Sequence, residues 1–155
     1  MQKGMASKNR SGTIYEDVFT VKDLDVGGQR FHNVSRVVGF CESSGAEVVI
    51  DIQCELFRLK TKEKFTLALA TTLNLQGVQG AKDDESWSQT SELTLLDKYD
   101  YGMHGKIYKK ETADGDRVAV YVSHGGLLMR IKGQGRNFVN MEMDGNIFTL
   151  LKKTV

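Results

Sequence analysis

Proline is absent from all 155 residues, where average usage would place about eight. Every reversal of the chain is therefore left to Gly, Asn and Asp, which reach tight-turn conformations by other means. Cysteine is scarce too. Cys41 and Cys54 stand in unlike settings with no second Cys two positions from either, which argues against a zinc site or a disulfide scaffold. Cys54 falls on one face with Ile50, Ile52 and Leu56, the setting of a buried thiol in a reducing compartment. No apolar run reaches the length of a signal peptide or a membrane span, so a soluble intracellular protein with no membrane association is expected. Charge of either sign is not in excess: 21 Lys and Arg face 20 Asp and Glu for a net charge of +1, and no global field draws the chain onto a polyanion.

Catalytic chemistry is equally thin. The 3 histidines, His32, His104 and His124, show no spacing that suggests a site, and no acid, base and nucleophile converge. Ser123 beside His124 is not a dyad, because neighbours on a strand point to opposite faces. Gly133-Gln134-Gly135 lacks the third glycine of a dinucleotide loop and the Gly-Lys ending of a P-loop. The expectation is a non-enzyme with no catalytic residues, no metal, no cofactor and no small-molecule substrate.

What the chain has is alternation. Val48, Ile50, Ile52, Cys54 and Leu56 alternate with more polar neighbours, and Phe65, Leu67, Leu69, Thr71 and Leu73 do the same; each segment reads as a strand with one core face. Further strands are expected over Tyr15 to Val21, Phe31 to Phe40, Tyr99 to Lys109, Val118 to His124, Leu127 to Lys132 and Ile147 to Lys152. No segment shows a helical stripe with caps. The fold class is all-β: about eight antiparallel strands, a number suited to a small closed barrel. Asp114-Gly115 and Asp144-Gly145 mark turns, so the C-terminal part is expected to be a meander. Residues 1–12, with Lys3, Lys8 and Arg10, read as a disordered basic tail, and 13–155 as one barrel domain. Residues 76–93, which hold the only tryptophan, Trp87, break the pattern and are expected to form a long mobile loop, with Trp87 a lid on the barrel or an anchor for another protein.

Tyr121-Val-Ser-His-Gly-Gly-Leu-Leu-Met-Arg130 folds on paper into a hairpin about Gly125-Gly126, since two glycines tolerate the positive φ of a primed turn. The register then sets Val122 opposite Met129, Val120 opposite Ile131, Tyr121 opposite Arg130 and Ser123 opposite Leu128. One face, Val118, Val120, Val122, Met129 and Ile131, is core. The other, with Tyr121, Ser123, Leu128, Arg130 and Lys132, is too apolar for a surface that meets only water, and is either covered by the same chain or offered to a partner.

This run also resembles the C-terminal signature of the small eighth subunit shared by eukaryotic nuclear RNA polymerases I, II and III. Tyr15-Glu-Asp-Val-Phe-Thr-Val-Lys-Asp-Leu-Asp25, followed by Phe31-His-Asn-Val-Ser-Arg36, is similar to that family's opening, and Tyr101-Gly-Met-His-Gly-Lys-Ile-Tyr108 to its central strand. The family usually has Tyr at the positions of His104 and His124 and Pro at that of Val26, and lacks a tail like residues 1–12. The resemblance implies a doubled OB motif and a non-catalytic structural subunit acting in transcription in the nucleus, nucleolus included. It would be docked on the largest subunit within the multisubunit enzyme. On this reading Tyr121, Ser123, Gly125, Gly126, Leu128 and Arg130 form the partner interface: Tyr121 and Leu128 supply apolar area, Arg130 stacks on Tyr121 or meets a carboxylate, and the glycines shape the turn.

One further segment stands out. Arg58, Lys60, Lys62 and Lys64 alternate between two strong strands. OB barrels hold single-stranded nucleic acid with basic grooves and stacked aromatics, for which Phe57, Phe65 and Tyr108 are candidates, so a free single-strand-binding protein is the alternative function. The same residues also read as a solvated, lysine-rich turn that discourages edge pairing, with at most weak nucleic-acid contact.

Overall fold

The alternating segments become strands whose inward residues fill one interior. In the computed structural model, which describes residues 12–28, 32–72 and 95–154, the strands are β1 (Thr13–Leu24), β2 (Val34–Phe40), β3 (Glu47–Gln53), β4 (Lys64–Ala70), β5 (Tyr101–Thr112), β6 (Arg117–His124), β7 (Leu127–Gln134) and β8 (Asn146–Lys153). They close into an all-antiparallel barrel in the order β1-β2-β3-β7-β6-β5-β8-β4, with β4 returning to β1, the all-β architecture expected. Residues 1–11 of the tail, and the loop 76–93 with Trp87, lie outside the described residues. Phe19 and Phe65 stack at 5.9 Å in the interior, among Ile50, Ile52, Leu67, Leu69, Val120 and Ile131, all fully buried. Each such side chain contributes about 1.5–3 kcal/mol of transfer free energy. Cys41 and Cys54 are both buried and neither forms a disulfide.

The chain departs from simple hairpins in two places. β3 and β4 were expected to flank a lysine-rich hairpin turn, but β3 pairs with β2 and β7, and β4 with β1 and β8. The intervening segment crosses between them and inserts Phe57 and Leu59 into the core, Phe57 stacking on Tyr101 at 5.5 Å. Because β3 ends at Gln53, Leu56 does not continue the face of Ile50 and Ile52 and is 73% exposed. The second departure is β8. The strands β5, β6 and β7 form the expected meander, but β8 pairs with β5 and β4, since the other edge of β7 is already taken by β3. The return runs through a 3-10 turn at Gly135–Phe138 and buries Phe138 and Met141. The Lys110 ammonium fastens it by donating to the carbonyls of Phe138 at 3.0 Å and Met141 at 2.9 Å.

The expectation of one core face fails for β4. Thr66, Ala68 and Ala70 are buried as well as Phe65, Leu67 and Leu69, and the outward alanines form a second apolar cluster with Leu150, Tyr99 and Phe148.

Candidate partner interface

The hairpin β6–β7 has the register that its turn dictates: Val120↔Ile131, Tyr121↔Arg130, Val122↔Met129 and Ser123↔Leu128. Gly125 and Gly126 have φ of +63° and +109°, so both occupy the left-handed side that admits glycine freely. The Ser123 hydroxyl accepts the Gly126 N–H at 3.3 Å and steadies the turn. Val120, Val122, Met129 and Ile131 are buried inside the barrel, while Val118 is partly buried against the same core.

On the outer face Tyr121 is the centre of a relay. Arg130 Nε donates to the Tyr121 hydroxyl at 3.2 Å, and the hydroxyl donates to Glu111 Oε2 at 2.9 Å. The Lys109 ammonium lies 5.2 Å from the Tyr121 ring centroid and 3.5 Å from Glu111, and the Arg130 guanidinium carbon lies 6.0 Å from the same centroid. The Tyr121 hydrogen bond, with Lys109 and Arg130 beside it, holds the Glu111 carboxyl below the usual carboxylate range. Tyr108 adds a ring tilted by 54° at 6.0 Å. The contact that the residue pattern suggested between Arg130 and Tyr121 is thus present. The sequence points to neither Lys109 nor Glu111 here, and to Tyr108 only as a stacking platform: a bulge in β5 between Ile107 and Lys109 puts Lys109 opposite Tyr121, and strict alternation carries no sign of it.

Leu128 is held by its backbone and exposed by its side chain. The β3–β7 ladder stops at Ile50↔Met129, and there the Asp51 carboxylate takes over, accepting the Leu128 N–H at 3.0 Å and a two-pronged Arg36 guanidinium at 2.6 and 3.0 Å. This charge-assisted fork fixes the hairpin tip, and the Leu128 side chain is left 39% exposed. On the same face Tyr121, Ser123, Arg130 and Lys132 are half-buried.

Under the tip lies His124. Its Nε2 is 2.8 Å from Thr149 Oγ1 and its Nδ1 3.2 Å from the Leu127 carbonyl; the geometry suits a neutral ring that donates through Nδ1 and accepts from the threonine. Burial pushes its pKa down to about 4, and His104 nearby pushes the same way. His104 itself lies at the surface against Phe148, with ring centroids 4.8 Å apart. In the unfolded chain the His124 imidazole protonates near its ordinary value of 6.5. Stability is therefore whole above that pH and falls as the pH drops toward 4, by ~3 kcal/mol at most. Acid titration of the thermal midpoint is expected to show this slope in the wild type and a flatter one in His124→Gln; parallel curves would remove His124 from the acid response.

The basic run has a different character from the hairpin. Arg58, Lys60, Lys62 and Lys64 are all exposed, and Glu63 folds back to accept the Lys60 N–H at 2.7 Å. Two of the three aromatics named beside them are buried, and the third, Tyr108, is exposed. Phe57 and Phe65 are 6% and 0% exposed, and Tyr108 packs against Tyr121 in the hairpin site. Among the described residues no group of three His, Cys, Asp or Glu is placed to hold a metal.

The family model described as RNA polymerase Rpb8 matches residues 16–153. A relative from Caenorhabditis briggsae, named a probable DNA-directed RNA polymerases I, II, and III subunit RPABC3, is 40% identical over 148 residues, covering 93% of this chain and 98% of its own length. The Saccharomyces cerevisiae subunit RPABC3 is 34% identical over 148 residues, 92% of this chain and 99% of its own length. An Arabidopsis thaliana relative, named subunit 8B of RNA polymerases II, IV and V, is 38% identical over 142 residues, 90% of this chain and 95% of its own length.

Proposed function

The chain belongs to the RNA polymerase Rpb8 family, and on that premise we propose that it is a non-catalytic structural subunit of the nuclear DNA-directed RNA polymerases I, II and III, seated on the largest subunit through the outer face of the β6–β7 hairpin. Its place of action is then the nucleus, including the nucleolus. The observation that carries the reading is the near-complete span of the family match, residues 16–153, which includes every strand except the first residues of β1. The geometry of the hairpin supports the choice of face. Leu128 stands exposed on a backbone clamped by Asp51, and Tyr121 is already locked by Arg130 and Glu111; little side-chain freedom remains to be lost on docking.

Affinity purification of the tagged full chain from nuclear extract is expected to bring down the largest subunits of all three polymerases. Recovery of the protein without them overturns the proposal, and recovery of one or two restricts the sharing. The single-strand-binding alternative has little support from the site, since Phe57 and Phe65, the aromatics nearest the basic run in sequence, are buried. The purified chain is accordingly expected not to retain a single-stranded oligonucleotide at physiological salt; salt-sensitive binding lost on charge reversal at Lys60, Lys62 and Lys64 would favour that alternative instead.

A further inference from the structure

A second surface lies on other strands than the hairpin. Between the turn after β1 and the segment that crosses from β3 to β4 is a cavity of ≈ 310 Å³. Leu24, Cys54 and Leu59 give it an apolar lining, Asp25 and Ser35 a polar side, and Arg58 and Lys60 its cations. The polar side is satisfied within the fold: Asp25 accepts the Ser35 hydroxyl and the Arg36 N–H, both at 2.9 Å, so both of its carboxylate oxygens are already engaged. Arg58 and Lys60 are exposed, and among the described residues neither makes an ion pair. Val26 and Leu56, which belong to the two chain segments bounding the cavity, are 72% and 73% exposed, the highest values of any large apolar residue described.

An apolar recess with two uncommitted cations at its edge and exposed aliphatic rims is complementary to a peptide and poorly suited to a nucleic-acid strand. Among the described residues no exposed aromatic lines it for stacking, and its apolar recess suits one inserted side chain rather than a run of phosphates. We propose that this cleft binds an acidic peptide segment of another protein, seating one large apolar side chain over Leu24 and Leu59 while Arg58 and Lys60 pair with flanking carboxylates. The proposal goes beyond the hairpin docking and does not depend on it.

The test uses the full chain and a labelled short peptide with Leu-Phe between two pairs of aspartates, beside the same peptide with lysine pairs and a labelled oligo-dT. The aspartate peptide is expected to bind at least about tenfold more tightly than the lysine peptide. It should move the backbone amide resonances of Leu24, Ser35 and Leu59 in the wild-type protein, and lose that advantage in Arg58→Glu combined with Lys60→Glu. Leu128→Asp should leave this binding unchanged. Equal affinity for the two peptides, shifts confined to other strands, or oligo-dT binding that the aspartate peptide fails to match would each overturn the proposal, the last in favour of nucleic acid.

Discussion

Replacing Gly105 by valine is expected to lower the thermal midpoint of the barrel by roughly 10 °C. A Cβ at this position would lie 2.6 Å from the Ser123 carbonyl oxygen and 2.7 Å from His124 Cδ2. The first neighbour is backbone within the β5–β6 ladder, where Lys106 pairs with Ser123, and cannot retreat without breaking it. The second is a ring tied on both sides, to Thr149 and to the Leu127 carbonyl. Overpacking against such rigid neighbours is worth ~3 kcal/mol or more, and a chain of this size loses about 2–4 °C for each kcal/mol. Circular dichroism melts of wild type, Gly105→Ala and Gly105→Val should fall in that order. Superimposable melts would mean that the two strands separate easily, contrary to the packing described.

Leu128→Asp is expected to leave the barrel folded and to weaken its retention of the largest subunit about thirtyfold. The substituted side chain is exposed, while the native contact that positions the residue runs through its backbone N–H to Asp51 and survives the change. Removing an apolar anchor from the middle of an interface and burying a charge there typically forfeits ~2 kcal/mol or more, which is the factor quoted. Because a new carboxylate would sit near Asp51, Leu128→Lys serves as the companion variant and should weaken retention similarly. Both are read by co-purification beside a melt that matches wild type within a few degrees. Undiminished retention by two folded variants would move the interface to another face.

How far the sequence revealed these features depended on the range of the interactions. The β6–β7 register was legible because a two-glycine turn is a local constraint, and once φ is positive at Gly125 and Gly126 every pairing follows. Strand order was not. The pairing of β3 with β7 joins residues about eighty positions apart, such as Val48 and Ile131, and alternation within each strand is the same whichever neighbour it finds. The crossing after β3 hid its purpose for a related reason: Phe57 and Leu59 alternate with Arg58 and Lys60, so a segment anchored in the core has the pattern of a charged turn. Around Tyr121 the aromatic-cation partner on β7 could be read, whereas Lys109 and Glu111 reached the site through a bulge that shifts β5 by a residue. The double burial of β4 had a faint signal in Ala68 and Ala70, small residues on what looked like a solvent face.

The return of β4 to β1 has a consequence for how this protein can be held. With the ring complete, every described strand has a neighbour on both sides, so no strand offers a full-length free edge to a foreign one and recognition falls chiefly to side chains. A copy made in surplus over its partners therefore presents, among the described residues, no complete strand edge on which sheet-to-sheet polymerisation could start.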